Sequence, residues 1–78
     1  MQMTIGDRLK QAREHRFMTQ SELSAKTGIQ IATISRIENN RQESRPRLST
    51  IRKLAEVLGV EPSWIMFGIE DDAKKAAA

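Results

Sequence analysis

Between Thr19 and Glu38 the chain reads TQSELSAKTGIQIATISRIE, a stretch that few folds can accommodate. Thr19 with Glu22 three residues later is a capping box, in which hydroxyl and carboxylate satisfy backbone donors at a helix start. Leu23 and Thr27 lie four apart on one face, and Ser24 beside Leu23 is small enough to let a second helix come close. Gly28 supplies the φ > 0 conformation that ends a helix sharply. A second helix restarts by Ile31 and buries Ile34 and Ile37, spaced three apart. Two short helices crossing about a glycine turn form a helix-turn-helix, whose second helix enters the major groove of DNA.

Composition narrows the setting. Seventy-eight residues allow one small domain, too small for an elaborate catalytic cleft. There is no Tyr, and Val, Trp and Phe are scarce, so an all-helical fold is expected. Without Cys there is neither a disulfide framework nor a thiolate metal site, which suits a reducing cytosol. The longest wholly apolar run, Trp64-Ile65-Met66-Phe67, is far short of the ~20 residues that span a bilayer. MQMTIGDRLK lacks the apolar core of a signal peptide, so a cytoplasmic location is expected.

The net charge of +3 is unevenly spread. Residues 1–53 hold 11 Lys/Arg against 5 Asp/Glu, and residues 54–78 hold 2 against 5. Arg41, Arg45, Arg47, Arg52 and Lys53 follow the motif almost at once, a segment suited to phosphate binding by charge pairing and counterion release. A solvated Arg-rich loop would look the same; its position beside the motif favours phosphate contact.

Five helices can be placed. Thr4 caps the first, with Asp7 at the positive end of its dipole. Its inner stripe is Ile5, Leu9 and Ala12, it ends near Arg16, and Phe17 in the connection is expected to plug the core. Helix two should run from Gln20 to Thr27 and helix three from Ile31 to Asn39, closed by a left-handed Asn40. Pro46 marks Arg41 to Leu48 as a loop. Ser49 is expected to cap helix four, with the stripe Ile51, Leu54, Ala55, Leu58 stopped by Gly59. Pro62 opens a fifth helix carrying Trp64, Ile65 and Phe67, ended by Gly68. The domain is expected to occupy residues 1–69, leaving 70–78 as a mobile tail.

From Ile5 to Gly68 the chain resembles the lambda-repressor-like, or XRE-type, DNA-binding domains of phage repressors, Cro proteins and many bacterial regulators. The residues that carry the likeness are RLKQAREHRFMTQSELSAKTGI, ISRIENN and LAEVLGVEPSWIMFG. The resemblance implies a compact five-helix fold with the helix-turn-helix at helices two and three, in a bacterial or phage-encoded regulator. It implies that Gln20 meets a phosphate through side chain and backbone amide, and that Gln30, Ile31, Ala32 and Arg36 face base edges. Thr33, Ser35, Arg41, Arg45 and Arg47 would add phosphate contacts. It also implies a buried salt bridge between Arg13 and Glu38. The family usually has Gly after Glu-Asn, where Asn40 stands here.

The chemistry of these side chains is consistent with that assignment. A Gln amide matches adenine N6 and N7, and Ile31 and Ala32 can meet thymine methyls. Arg36 can grip guanine bidentately or pair with a phosphate. Gln30 is a poor N-cap, so its position suggests another task. Ile31, three before Ile34, could instead pack inward, and Ala32 could be only a helix former. Trp64 is expected in the core and His15 on the surface, with no second ligand or nucleophile placed to join it.

These features predict a sequence-specific transcriptional regulator, a repressor binding a palindromic operator in double-stranded DNA as a homodimer, with neither reaction nor cofactor. One such domain reads only a few base pairs, and pairing two half-sites raises specificity. The last apolar cluster holds more large side chains than one short helix needs to bury, so Met66 and Ile69 are expected to form the dimer contact. An antitoxin, a restriction–modification controller or the DNA-binding part of a larger regulator are the alternatives.

Overall fold

The computed structural model describes residues 3–40 and 46–68. Expectations for Arg41, Arg45, Ile69 and the tail 70–78 lie outside the described residues. Five helices follow in order: α1 (Ile5–His15), α2 (Gln20–Thr27), α3 (Ile31–Glu38), α4 (Leu48–Leu58) and α5 (Pro62–Phe67). Among the described residues there is no strand, as the composition implied.

The starts of α1 and α2 are both reciprocal capping boxes, Thr4 with Asp7 and Thr19 with Glu22. The inner stripes converge on one core: Leu9 and Ala12, Leu23, Ile34 and Ile37, Ile51, Leu54, Ala55 and Leu58, and Ile65. Trp64 and Met66 are half-buried against it. Helix α1 packs on α3 and α5, α4 on α2 and α5, and α2 on α3.

Two expectations fail at helix ends. Phe17 does not plug the core; it is 93% exposed, at φ 54°. The Phe17 N–H bonds the Glu14 carbonyl and the Met18 N–H bonds the Arg13 carbonyl, at 2.9 and 3.2 Å, which is the Schellman pattern. That motif turns its left-handed residue outward and folds the next one back, so Met18 packs against the core instead. Ser49 does not cap α4. The helix begins one residue before it, because Arg47 is extended and its carbonyl already accepts from Ile51 N–H at 3.1 Å.

Two arginines of α1 and Arg16 at its C-cap tie the other helices down. Arg8 donates from Nε to the Ile65 carbonyl at 2.8 Å and from a terminal nitrogen to that of Met66, as well as to Met3. Arg16 donates to the Leu58 carbonyl at 3.0 Å. Both reach last-turn carbonyls that have no intrahelical donor. Arg13 meets Glu38, the last residue of α3.

Candidate nucleic-acid interface

The N-terminus of α2 forms one edge of the site. Thr19 N–H donates to the Glu22 carboxylate and Glu22 N–H to the Thr19 hydroxyl, each at 3.0 Å. The Thr19 backbone bond, then its hydroxyl, hold the Glu22 carboxyl below the usual carboxylate range. This cap satisfies the third amide of the helix and leaves the Gln20 and Ser21 N–H groups without an intrahelical partner.

The turn between the two helices is locked by side chains. Gly28 lies at φ 76°, with its N–H on the Ser24 carbonyl at 2.9 Å. The Ser24 hydroxyl donates to the Ile29 carbonyl at 2.6 Å. The Thr27 hydroxyl donates to Leu23 at 2.8 Å and accepts from Ile29 N–H at 3.2 Å. Ser24 therefore does more than leave room: it fixes the path on which α3 departs from α2.

Helix α3 divides cleanly. Ile34, Ile37 and Glu38 are buried, while Ile31, Ala32 and Arg36 are exposed and Thr33 and Ser35 half-buried. Ile31 is 45% exposed, which removes the inward-packing alternative. Gln30 precedes the helix in extended backbone, exposed, and makes no side-chain cap. Residues 32 and 36, and residues 31, 35 and 39, form two rows along the outer face at spacing four. Asn39 was not anticipated on this face; its amide donates to the Ser35 hydroxyl oxygen at 3.2 Å. Its spacing of four from Ser35 was the available signal.

Arg13 and Glu38 meet in a two-pronged pair, Nε to Oε2 at 2.7 Å and a terminal nitrogen to Oε1 at 2.9 Å. The two side chains are 12% and 3% exposed. The third Arg13 nitrogen donates to the Met18 carbonyl at 2.8 Å. The Glu38 hydrogen bond raises the Arg13 pKa, against the lowering effect of burial. Gln20 also joins the pair: its Nε2 donates to Glu38 Oε1 at 3.1 Å.

These bonds divide the cations. The side chains of Arg8, Arg13 and Arg16 are spent within the fold, whereas those of Arg36, Arg47, Arg52 and Lys53 are exposed and make no hydrogen bond or ion pair with the described residues. At α5, Met66 is half-buried and Phe67 presents more surface, 54% exposed. No metal-binding group of His, Cys, Asp or Glu occurs among the described residues, and no helix among them is long and apolar enough to cross a membrane.

The helix-turn-helix family model matches residues 9–65. Over 64 residues the chain is 38% identical to the HTH-type transcriptional repressor RghR of Bacillus subtilis (strain 168), covering 82% of this chain and 47% of that protein. It is 36% identical over 64 residues to the immunity repressor protein of Bacillus phage phi105, covering 82% and 43%. Among solved structures it matches the biofilm master regulator SinR in complex with DNA, with TM-score 0.75 and 34% identity over 80% of this chain and 97% of that one. The chain spans about half the length of the curated relatives it matches. With its five-helix order and its turn at Gly28, the chain belongs to the helix-turn-helix family of the lambda-repressor-like, XRE type.

Proposed function

We propose that this chain is a sequence-specific DNA-binding regulator, a repressor that works in the cytoplasm without catalysis and pairs as a homodimer on a palindromic operator. The observation that carries this reading is the two-sided character of α3. One side is sealed into the core, and the other presents Ile31, Ala32 and Arg36 to solvent with Gln30 at its start. Gln30 would read adenine, Ile31 and Ala32 thymine methyls, and Arg36 guanine. Gln20, Thr33, Ser35 and Arg47, with Arg41 and Arg45, would hold phosphates on either side. Repressors among the relatives, and a DNA complex of SinR, support the reading.

Met66 on α5, together with Ile69, would form the dimer contact, setting two recognition helices about one DNA turn, ~34 Å, apart. Such an interface is small, so pairing would occur mainly on DNA. Selection of bound duplexes from a random pool tests the whole proposal. Enrichment of a palindrome with half-sites about one turn apart is expected; a pool that stays random after selection would overturn it.

A further inference from the structure

The strongest unassigned feature is the hydrogen bond from Gln20 to the buried Arg13–Glu38 pair. Gln20 opens α2 at the edge expected to meet phosphate, while Glu38 closes α3 and is 7% exposed. We propose that Glu38 is a positioning residue for DNA-backbone recognition, locking the Gln20 amide so that it presents an N–H to a phosphate. This assignment rests on the DNA-binding reading given above.

The lock follows from hydrogen-bond chemistry. An ionised carboxylate only accepts, so Gln20 must turn its nitrogen, not its oxygen, toward Glu38. Arg13 prevents that carboxylate from turning away: Nε holds Oε2 and a terminal nitrogen holds Oε1. The third arm of Arg13 is fixed on the Met18 carbonyl, in the connection immediately before α2. Gln20 Nε2 thus spends one hydrogen on Glu38 and retains a second. A phosphate oxygen accepts and never donates, so only that second hydrogen suits it.

The same amide freed from Glu38 could flip and offer its oxygen, which would repel a phosphate. Rotamer freedom would also have to be lost on binding. Glu38, buried and too far inside to touch DNA itself, would in this way set the chemistry of a half-buried group on another helix. The adjacent Gln20 and Ser21 backbone N–H groups, free of intrahelical partners, would complete the donor set on the same phosphate.

The test uses Gln20→Ala, the paired replacement R13M/E38M, and the triple variant. Replacing both members of a buried ion pair by apolar side chains avoids stranding a charge. Urea melts confirm which variants are folded, and the wild-type NMR measurement decides the lock if the paired replacement is not. In the DNA-free wild type, one proton of the Gln20 side-chain amide should be shifted and exchange-protected by NMR, and R13M/E38M should abolish both features. Random-coil behaviour in the wild type would overturn the lock without reference to DNA.

On an arbitrary duplex, Gln20→Ala should weaken binding about tenfold with an unchanged salt slope, because the lost donor is uncharged. R13M/E38M should lose a similar factor, and adding Gln20→Ala to it should cost little more. A full further loss in the triple variant would show that Gln20 works without Glu38 and would overturn the proposal. If wild type binds DNA and Gln20→Ala binds as well, only this assignment falls. If wild type binds no duplex, the DNA-binding reading falls first and takes this one with it.

Discussion

The backbone N–H of Gly6 donates to the side-chain carbonyl of Asn40 at 3.2 Å, joining the first turn of α1 to the residue that closes α3. The approach is close enough to exclude a side chain. A Cβ on Gly6 would lie 2.3 Å from the Ile37 carbonyl oxygen and 2.7 Å from that of Glu38. Both are backbone atoms, so relief requires the helices to separate. Gly6→Ala should therefore destabilise the domain by about 1–3 kcal/mol, as overpacking does, read from urea melts. Asn40→Gly keeps the left-handed turn (φ 54°) but removes the acceptor, and should cost about 1 kcal/mol.

Phe17 should give the opposite result. A bulky residue in the left-handed region costs roughly 1–2 kcal/mol, and at 93% exposure this side chain recovers little by burial. Phe17→Gly relieves that strain while adding some freedom to the unfolded chain. The expected balance is a gain of up to about 1 kcal/mol, seen as a higher melting temperature. An unchanged or lower melting temperature would mean the aromatic ring makes contacts that its exposure conceals.

These two positions mark the limit of what the sequence conveys. Thr4, Thr19, Gly28, Gly59 and Pro62 were legible because capping, left-handed termination and first-turn proline are local effects, set within a few residues. The core stripes were legible by period. Gly6 was not, because its role depends on a carbonyl 31 residues away in the chain. Phe17 was misread because an apolar residue suggests burial, whereas the Schellman hydrogen bonds decide which of Phe17 and Met18 faces inward. On the outer face of α3, Ala32 and Arg36 were placed by the family resemblance, and both are exposed. The apolar spacing left Ile31 open, since a residue three before Ile34 borders both sides of the helix.

Helix capping makes stability pH-dependent at Glu22. The Thr19 backbone N–H and hydroxyl favour the ionised carboxyl, so its folded pKa lies below the unfolded value. The contribution is then fully present above the ordinary carboxylate pKa of about 4.3 and is lost as pH falls through the lowered folded value. Glu22→Gln retains a weaker cap but cannot titrate. Wild type should be the more stable at pH 7, with the difference shrinking in denaturant melts taken below pH 4. A gap that stays constant with pH would assign the stabilisation to something other than the charge.

Burial also decides the size of the Arg13–Glu38 effect. With side chains 12% and 3% exposed, removing one partner leaves the other desolvated and unpaired. Arg13→Ala or Glu38→Ala should each cost about 3–5 kcal/mol, where an exposed pair would cost about 0–1 kcal/mol. Removing both should cost far less than the sum of the two, because no charge is then stranded. Additive losses across that cycle would locate the stabilisation in packing by the two stems.

Arg36 and Arg47 provide the sharpest separation of base reading from phosphate holding. Arg36 projects from the exposed row of α3, proposed to face base edges, whereas Arg47 stands at the start of α4, beyond the motif. Neither side chain has a hydrogen-bonding partner among the described residues, so truncating either one breaks no internal side-chain bond there. Arg36→Ala should cost roughly 1–3 kcal/mol on the selected operator and relax preference at one base pair, with non-specific affinity nearly intact. Arg47→Ala should weaken binding to all duplexes similarly and lower the salt slope by about one unit. Binding measured on operator and scrambled duplexes at several salt concentrations distinguishes the two. Matching behaviour of both variants, with equal slopes and equal base preference, would mean that Arg36 pairs with a phosphate and that base reading rests on Gln30, Ile31 and Ala32.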